Sequence, residues 1–317
     1  MRKVLTIFFL SLICTTLAAQ KVTFMPQWTA QAQFAGFYVA KEKGFYEDEG
    51  LDVTIKHIGN TSTETVMDQL LSGKVDIAEQ QLLPSMIERS EGAKLVNVWQ
   101  LTQVCALCAV AKKPLSTPED LEGMTIGRWT TAYIELADVL QIINGINAKW
   151  VSAFNPVTLF MYGAIDATLC TSYHELNSIL LKKGNIPEEN ILRFSEFGFN
   201  SPEDGLYVTE KYYKRNKPAI EKFVRASRRG WDYARQNVKE ALEITRKYTD
   251  EGHVITNDVM QEHMLKEYLK LIVNPDTGVA DYAPVKEDVF INLNKLLYDI
   301  GYITRHLDYK EMIKCEE

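Results

Sequence analysis

Short apolar or β-branched runs alternate with amphipathic stretches through the first two thirds of the chain, and that alternation predicts a layered α/β protein. "KVTFMP" reads as a strand, "TETVMDQLLSG" as a helix with Gly73 just past its end, and "KVDIAEQ" as a strand again. In "TPEDLEG" Thr117 is placed to cap a helix, Pro118 suits its first turn and Asp120 sits at the capping-box position, with Gly123 as the stop. The strand "MTIGRW" and the helix "AYIELADVLQII" open a second βα cycle. From about Glu210 onward the pattern is mostly helical, broken by the turn-rich "NPDTGVADYAP".

One layout is used twice. "TETVMDQLLSGKVDIAEQQLLPSMIERSEG" and "NPVTLFMYGAIDATLCTSYHELNSILLKKG" each run helix, glycine, apolar residue, aspartate, strand, polar turn, helix, glycine, with Gly73 and Asp76 matching Gly163 and Asp166. The spacing of about 90 residues is too long for a solenoid, whose period is roughly 20 to 50. Two similar α/β lobes are expected instead.

The first residues, "MRKVLTIFFLSLICTTLAAQ", join Arg2 and Lys3 to an apolar run and then to Ala18 and Ala19. This is a secretory layout, with cleavage expected near Ala19 and a periplasmic destination. Lipidation at Cys14 is disfavoured by bulky Ile13 where a small residue is wanted. The formal charge of −7 disfavours nucleic acid as a partner, because phosphate binding needs a basic face. The cysteines outside the leader, Cys105, Cys108, Cys170 and Cys315, are too few for a disulfide scaffold. Cys105 and Cys108 have redox-motif spacing, but "VCALCAVA" reads as an apolar strand and predicts two buried, inert thiols on opposite faces.

No engine for catalysis is visible. The G-x-S-x-G elbow, the P-loop and the G-x-G-x-x-G run are absent, and no two of His57, His174, His253, His263 and His306 have zinc-helix spacing, so neither metal nor cofactor is expected. What does concentrate is aromatic and amide chemistry where strands should end. Trp28 with Gln27, Gln31 and Gln33 follows the first strand; Glu79, Gln80 and Gln81 close "VDIA"; Trp129 follows "TIGR"; and Tyr173, His174 and Glu175 follow "ATLCTS". Ligands of open α/β sheets bind beyond the carboxyl ends of strands. Aromatic faces stack on flat rings while amides and carboxylates select their edges, which suits a neutral nitrogen heteroaromatic. Tyr38 and Trp129 fit ordinary core positions equally well, Phe37 fits one better still, and Trp28, in a polar neighbourhood, fits one least.

"QFAGFYVAKEKGFYEDEGLDVTI" resembles the first lobe of the NMT1/THI5-like solute-binding proteins of ABC transporters, the thiamin-precursor and alkanesulfonate group. "LLSGKVDIA", "STPEDLEGMTIGRW", "SYHE", "SPEDGLYV" and "FVRASRRGWDYARQN" extend the likeness over nearly all of the chain beyond the leader. The resemblance implies a type II periplasmic-binding fold, two α/β lobes joined by a two-strand hinge. Residues 20–105 and 208–317 would form lobe one, 106–207 lobe two, and 1–19 the leader. It implies a non-enzymatic, monomeric receptor that captures a thiamin-type pyrimidine and hands it to a membrane permease and its ATPase. By position, Trp28, Tyr38 and Trp129 would wall the ring, while Gln33, Gln80, Tyr173, His174 and Glu175 would reach its polar edge. The chain departs from the best-known pyrimidine binders at Phe34, Ala35 and Gly36, where those tend to carry a His-Thr-Gly turn. Three other readings share the pattern: a sulfonate importer, disfavoured by the few serines in these loops; a receptor feeding a signalling kinase; and a pyrimidine synthase-like enzyme, disfavoured because the fungal synthases carry a dense cysteine cluster.

Overall fold

The computed structural model describes residues 18–58, 64–130, 133–183, 186–274 and 277–315. Most of the expected leader, Cys14 included, lies outside them. Among the described residues, ten strands form two five-stranded sheets. The first contains β1 (Gln20–Met25), β2 (Leu51–Ile55), β3 (Ile77–Gln80), β4 (Leu95–Gln100) and, much later in the chain, β10 (Gly205–Thr209), in the order β2-β1-β3-β10-β4. The second contains β5 (Leu107–Ala111), β6 (Thr125–Trp129), β7 (Lys149–Ala153), β8 (Ala167–Thr171) and β9 (Ile191–Arg193), in the order β7-β6-β8-β5-β9. Each sheet has a parallel half, β2-β1-β3 or β7-β6-β8, completed by an antiparallel strand. That antiparallel strand follows a passage of the chain from one sheet to the other, between β4 and β5 and again between β9 and β10.

The repeated layout explains why the parallel halves match. Asp76 donates its N–H to the Thr23 carbonyl and accepts the Thr23 N–H on Oδ2 at 2.8 Å; Asp166 does the same with Thr125 at 2.9 Å. Each aspartate thus pins the start of β3 or β8 to the strand beside it, satisfying backbone groups where the ladder begins. Gly73 and Gly163, at φ of +77° and +82°, turn the chain just before. "TPEDLEG" forms only one 3-10 turn, Pro118–Leu121: the Thr117 and Asp120 capping box closes, but Gly123 at φ +71° follows too soon for a longer helix.

Helices cover both faces of the first sheet. The face towards helix Ala35–Glu42 and the long helix Glu210–Gln236 carries the larger core, with Phe24, Phe37, Trp99, Phe223 and Trp231 all buried. Phe37 packs among aromatic rings there, as a core residue. The long helix bends at Asn216, whose φ/ψ of −128°/21° fits a residue shortly before Pro218. It presses on helix Ala35–Glu42 so closely that an added Cβ on Gly230 would stand 2.1 Å from the Gly36 carbonyl oxygen. Two glycines therefore set the distance between these helices. No helix among the described residues is long and apolar enough to cross a membrane.

Candidate functional site: a carboxylate trio between the lobes

The two passages between the sheets are laced together. Asn200 accepts the Cys105 N–H at 2.8 Å and donates to the Gln103 carbonyl, Leu101 N–H reaches the Asp204 carbonyl, and the Glu203 carboxylate accepts the Ala106 N–H at 2.8 Å. The second passage ends in Glu203 and Asp204, immediately before β10. Because β10 is antiparallel, its first residue, Gly205, lies opposite Gln80 and Gln100, the last residues of β3 and β4. The two acids are thereby delivered to the carboxyl ends of the parallel strands, where loops from several strands converge.

Glu79, near the end of β3, completes a trio of carboxylates that are all 0–1% exposed. Asp204 is well supplied with donors. The side chains of Gln27 and Tyr268 donate to it, and Gln33 Nε2 reaches its two oxygens at 3.2 and 3.0 Å. Gln31 in turn donates to Gln33 at 2.6 Å. Glu79 accepts only the Gln27 N–H, at 3.3 Å, and its Oε1 has no hydrogen-bond partner. Glu203 Oε1 takes the Ala106 N–H and the more distant Cys105 thiol, while its Oε2 is likewise without a partner.

None of the trio forms an ion pair with a lysine, arginine or histidine among the described residues. Burial, and then repulsion from Asp204, pushes the Glu203 carboxyl up to about 8; burial raises Asp204 to about 6 against the pull of its three donors. Glu79 is held well above the ordinary range by burial and by the Asp204 charge. A buried polar atom left unpaired costs about 1–3 kcal/mol and a buried charge more, so these two bare oxygens are expensive unless something else pairs them.

Phenols stand around the trio. Tyr173, in the loop after β8, meets Tyr268 of helix Asp258–Ile272 edge to face at 5.3 Å, so the two lobes touch across the site. Burial and the charges of Glu203 and Asp204 raise its hydroxyl. The buried Tyr133 hydroxyl stands within reach of the Glu203 carboxylate, pulling against its upward shift as a donor does though not in well-formed hydrogen-bond geometry, and the Tyr133 ring lies 5.4 Å from that of Trp129. A narrow crevice between the lobes, lined by Cys105, Tyr133 and Glu203 among others, holds a free volume of only about 10 Å³, room for a single water, so a ring-sized ligand needs the lobes to part.

The structure brings Gln33 and Tyr173 to the trio and sets Trp129 beside Tyr133. Gln80 ends β3, its side-chain oxygen accepting the Gln81 N–H at 2.9 Å. Trp28 is 45% exposed in the loop after β1, and its carbonyl accepts from His57 Nδ1 at 2.7 Å. That bond places the proton on Nδ1, so the Tyr38 hydroxyl donates to Nε2 at 2.9 Å. The Tyr38 ring is fully buried and stacked on Tyr248 at 4.0 Å within the first lobe. Glu175 is occupied locally: its Oε2 accepts the Thr171 N–H at 3.0 Å and hydroxyl at 2.6 Å, closing the turn after β8. His174 is partly exposed, 3.7 Å from Glu175. Sequence reasoning passed over Glu203, Asp204, Tyr133 and Tyr268. The signal available was "SPEDG", adjacent acids directly ahead of a strand that begins a return passage.

The description NMT1/THI5 like matches residues 31–241, two thirds of the chain. The chain belongs to the NMT1/THI5-like family. Among its relatives is a riboflavin-binding protein, RibY, of Chloroflexus aurantiacus, 26% identical over 94% of this chain and 86% of that one. A formylaminopyrimidine-binding protein of Halalkalibacterium halodurans is 24% identical over 82% and 80%. A 4-amino-5-hydroxymethyl-2-methylpyrimidine phosphate synthase of Candida albicans is 23% identical over 71% and 70%. Among solved structures, the periplasmic aliphatic sulphonate-binding protein SsuA of Escherichia coli superposes with a TM-score of 0.69 at 14% identity, over 93% of this chain and 97% of that one. The fold of this NMT1/THI5-like chain is accordingly the two-lobed α/β periplasmic-binding fold, the fold of solute-binding receptors of ABC importers.

Proposed function

We propose that this protein is a non-enzymatic, extracytoplasmic receptor that closes its lobes on a small nitrogen heteroaromatic, a thiamin-type pyrimidine, for delivery to an ABC permease and its ATPase. The observation that carries the reading is the carboxylate trio, with one oxygen on Glu79 and one on Glu203 that lack a well-formed hydrogen bond and, among the described residues, no cation paired to either. Such a site attracts N–H donors and positive charge and repels anions. An aminopyrimidine edge offers an amino donor beside a ring nitrogen. A protonated Glu203 can answer both, donating its O–H to the ring nitrogen and accepting the amino N–H. Tyr133, Tyr173 and Tyr268 supply flat apolar walls.

A sulfonate would bring its negative charge among three carboxyls, which is why this reading is preferred although a sulphonate binder shares the fold. The Cys105 thiol that meets Glu203 is buried, and that burial holds it well above the ordinary thiol range, so it is a poor nucleophile, which supports a binding role over a synthase role. Binding would draw the lobes together by hinge motion of the two passages, shifting the population of closed protein that a permease reads.

Calorimetric titration of the purified protein at pH 7 tests this. Hydroxymethylpyrimidine or formylaminopyrimidine is expected to bind at micromolar affinity or tighter, at least roughly 8 kcal/mol. Taurine and other alkanesulfonates are expected to give no heat. Riboflavin is the second arm, motivated by the relative matched over 94% of the chain. Heat with the sulfonate alone would overturn the ligand class.

A further inference from the structure

Cys108 and Cys170 are aligned across β5 and β8, directly opposite each other in an antiparallel pair, with their sulfurs 3.3 Å apart and both residues 0% exposed. The ladder defines which kind of pair this is. Ser172 donates its N–H to the Ala106 carbonyl and Lys112 donates to Asp166, so 106 with 172 and 112 with 166 are hydrogen-bonded pairs. By the alternation of the antiparallel ladder, 108 with 170 is another, with an expected Cα separation of about 5.5 Å. Disulfides most often span about 5.5–6 Å between Cα atoms, so closing the bond needs a side-chain rotation and no movement of the strands.

We infer that Cys108 and Cys170 become a cross-strand disulfide when the protein folds in an oxidising compartment. The two thiols lose two protons and two electrons as the S–S bond forms. The electrons reduce the disulfide of an extracytoplasmic dithiol oxidase, which leaves as the dithiol. Timing follows from burial. In the finished fold neither sulfur is accessible and the Cys170 thiol is held far up by its surroundings, so the exchange takes place before β5 and β8 have closed into the finished sheet. The bond closes a loop between positions 62 residues apart and ties together the strand that leaves the first passage and the strand that leads into Tyr173. Cys105, beside Glu203, and Cys315, beside Asn97, have no such partner and remain thiols.

The test exports the full chain to a bacterial periplasm with a proven leader, so that the protein's own address is not in question, and keeps a second sample in a reducing cytoplasm. Both are denatured with excess iodoacetamide and no reductant, then cut with trypsin. The expected result, in the exported sample only, is a cross-linked species joining residues 95–112 to 150–182, with Cys105 alkylated, that separates on reduction. The link should survive Cys105→Ser and Cys315→Ser and vanish in Cys170→Ser. Reduction is expected to lower the melting temperature by roughly 5–10 °C. Full alkylation of Cys108 and Cys170 in the exported protein, or a Cys105–Cys108 link, would overturn the inference.

Discussion

Glu203→Gln is expected to stabilise the free protein at pH 8 while removing the pH dependence of ligand capture. The sign follows from the raised carboxyl. An unfolded glutamate titrates near 4.3, whereas folded Glu203 titrates at about 8. Between those values the folded chain keeps a proton that the unfolded chain has released, so stability drains away as pH rises through that window. Glutamine keeps the oxygen that accepts the Ala106 N–H and carries no charge to bury. The gain at pH 8 is on the order of a few kcal/mol, which thermal unfolding reads as a rise of roughly 5–10 °C. In the wild type, affinity for a neutral aminopyrimidine should fall about tenfold per pH unit above 8, as Glu203 loses the proton it offers the ring nitrogen. In Glu203→Gln that fall should disappear. A stability profile equally steep in both proteins would show that Glu203 does not hold this proton. A substitution that steadies the fold at the expense of a binding property is the mark of a group kept for function.

The largest loss of stability is expected at the glycine contact between helices Ala35–Glu42 and Glu210–Gln236. An alanine methyl at position 230 would stand 2.1 Å from the Gly36 carbonyl oxygen and 2.8 Å from the Ala40 methyl. At position 36 it would lie 2.2 Å from the Trp231 ring. Backbone cannot yield locally as a flexible side chain does, so the helices must separate and loosen the packing of Phe37 and Trp231. Gly230→Ala is expected to cost about 3 kcal/mol or more, a drop of roughly 6–12 °C in the melting temperature. The double change with Gly36→Ala should cost less than the sum, since one separation of the helices relieves both clashes. Melting temperatures for both single variants within a degree of wild type would contradict the close approach.

Much of the fold was legible because its signals are local. The period of the apolar runs, the twofold Gly-x-x-Asp layout and the glycines after helices each act within a few residues, and the structure repeats that layout in both sheets. The site was legible only in part. The rule that ligands meet the ends of parallel strands led to Gln33 and Tyr173, which the structure sets at the trio, and to Trp129, which it sets beside Tyr133. It did not lead to Glu203 and Asp204, because they precede an antiparallel strand, whose beginning and not its end lies at the cleft. Tyr268 was hidden for another reason: it shares a helix face with Met264, Leu265 and Ile272, and from sequence that stripe is indistinguishable from core. Tyr38 and Glu175 show the reverse difficulty, since the partners that occupy them, Tyr248 for the ring and Thr171 for the carboxylate, become known only once the chain has folded.

The most direct test of the account is a crystal structure of the protein with the molecule it retains when purified from its own cells. The account predicts a flat nitrogen heterocycle between the lobes, its donor edge within about 3 Å of the Glu79 and Glu203 oxygens that otherwise lack partners. An anion seated there, or a ligand that leaves both oxygens bare, would contradict it.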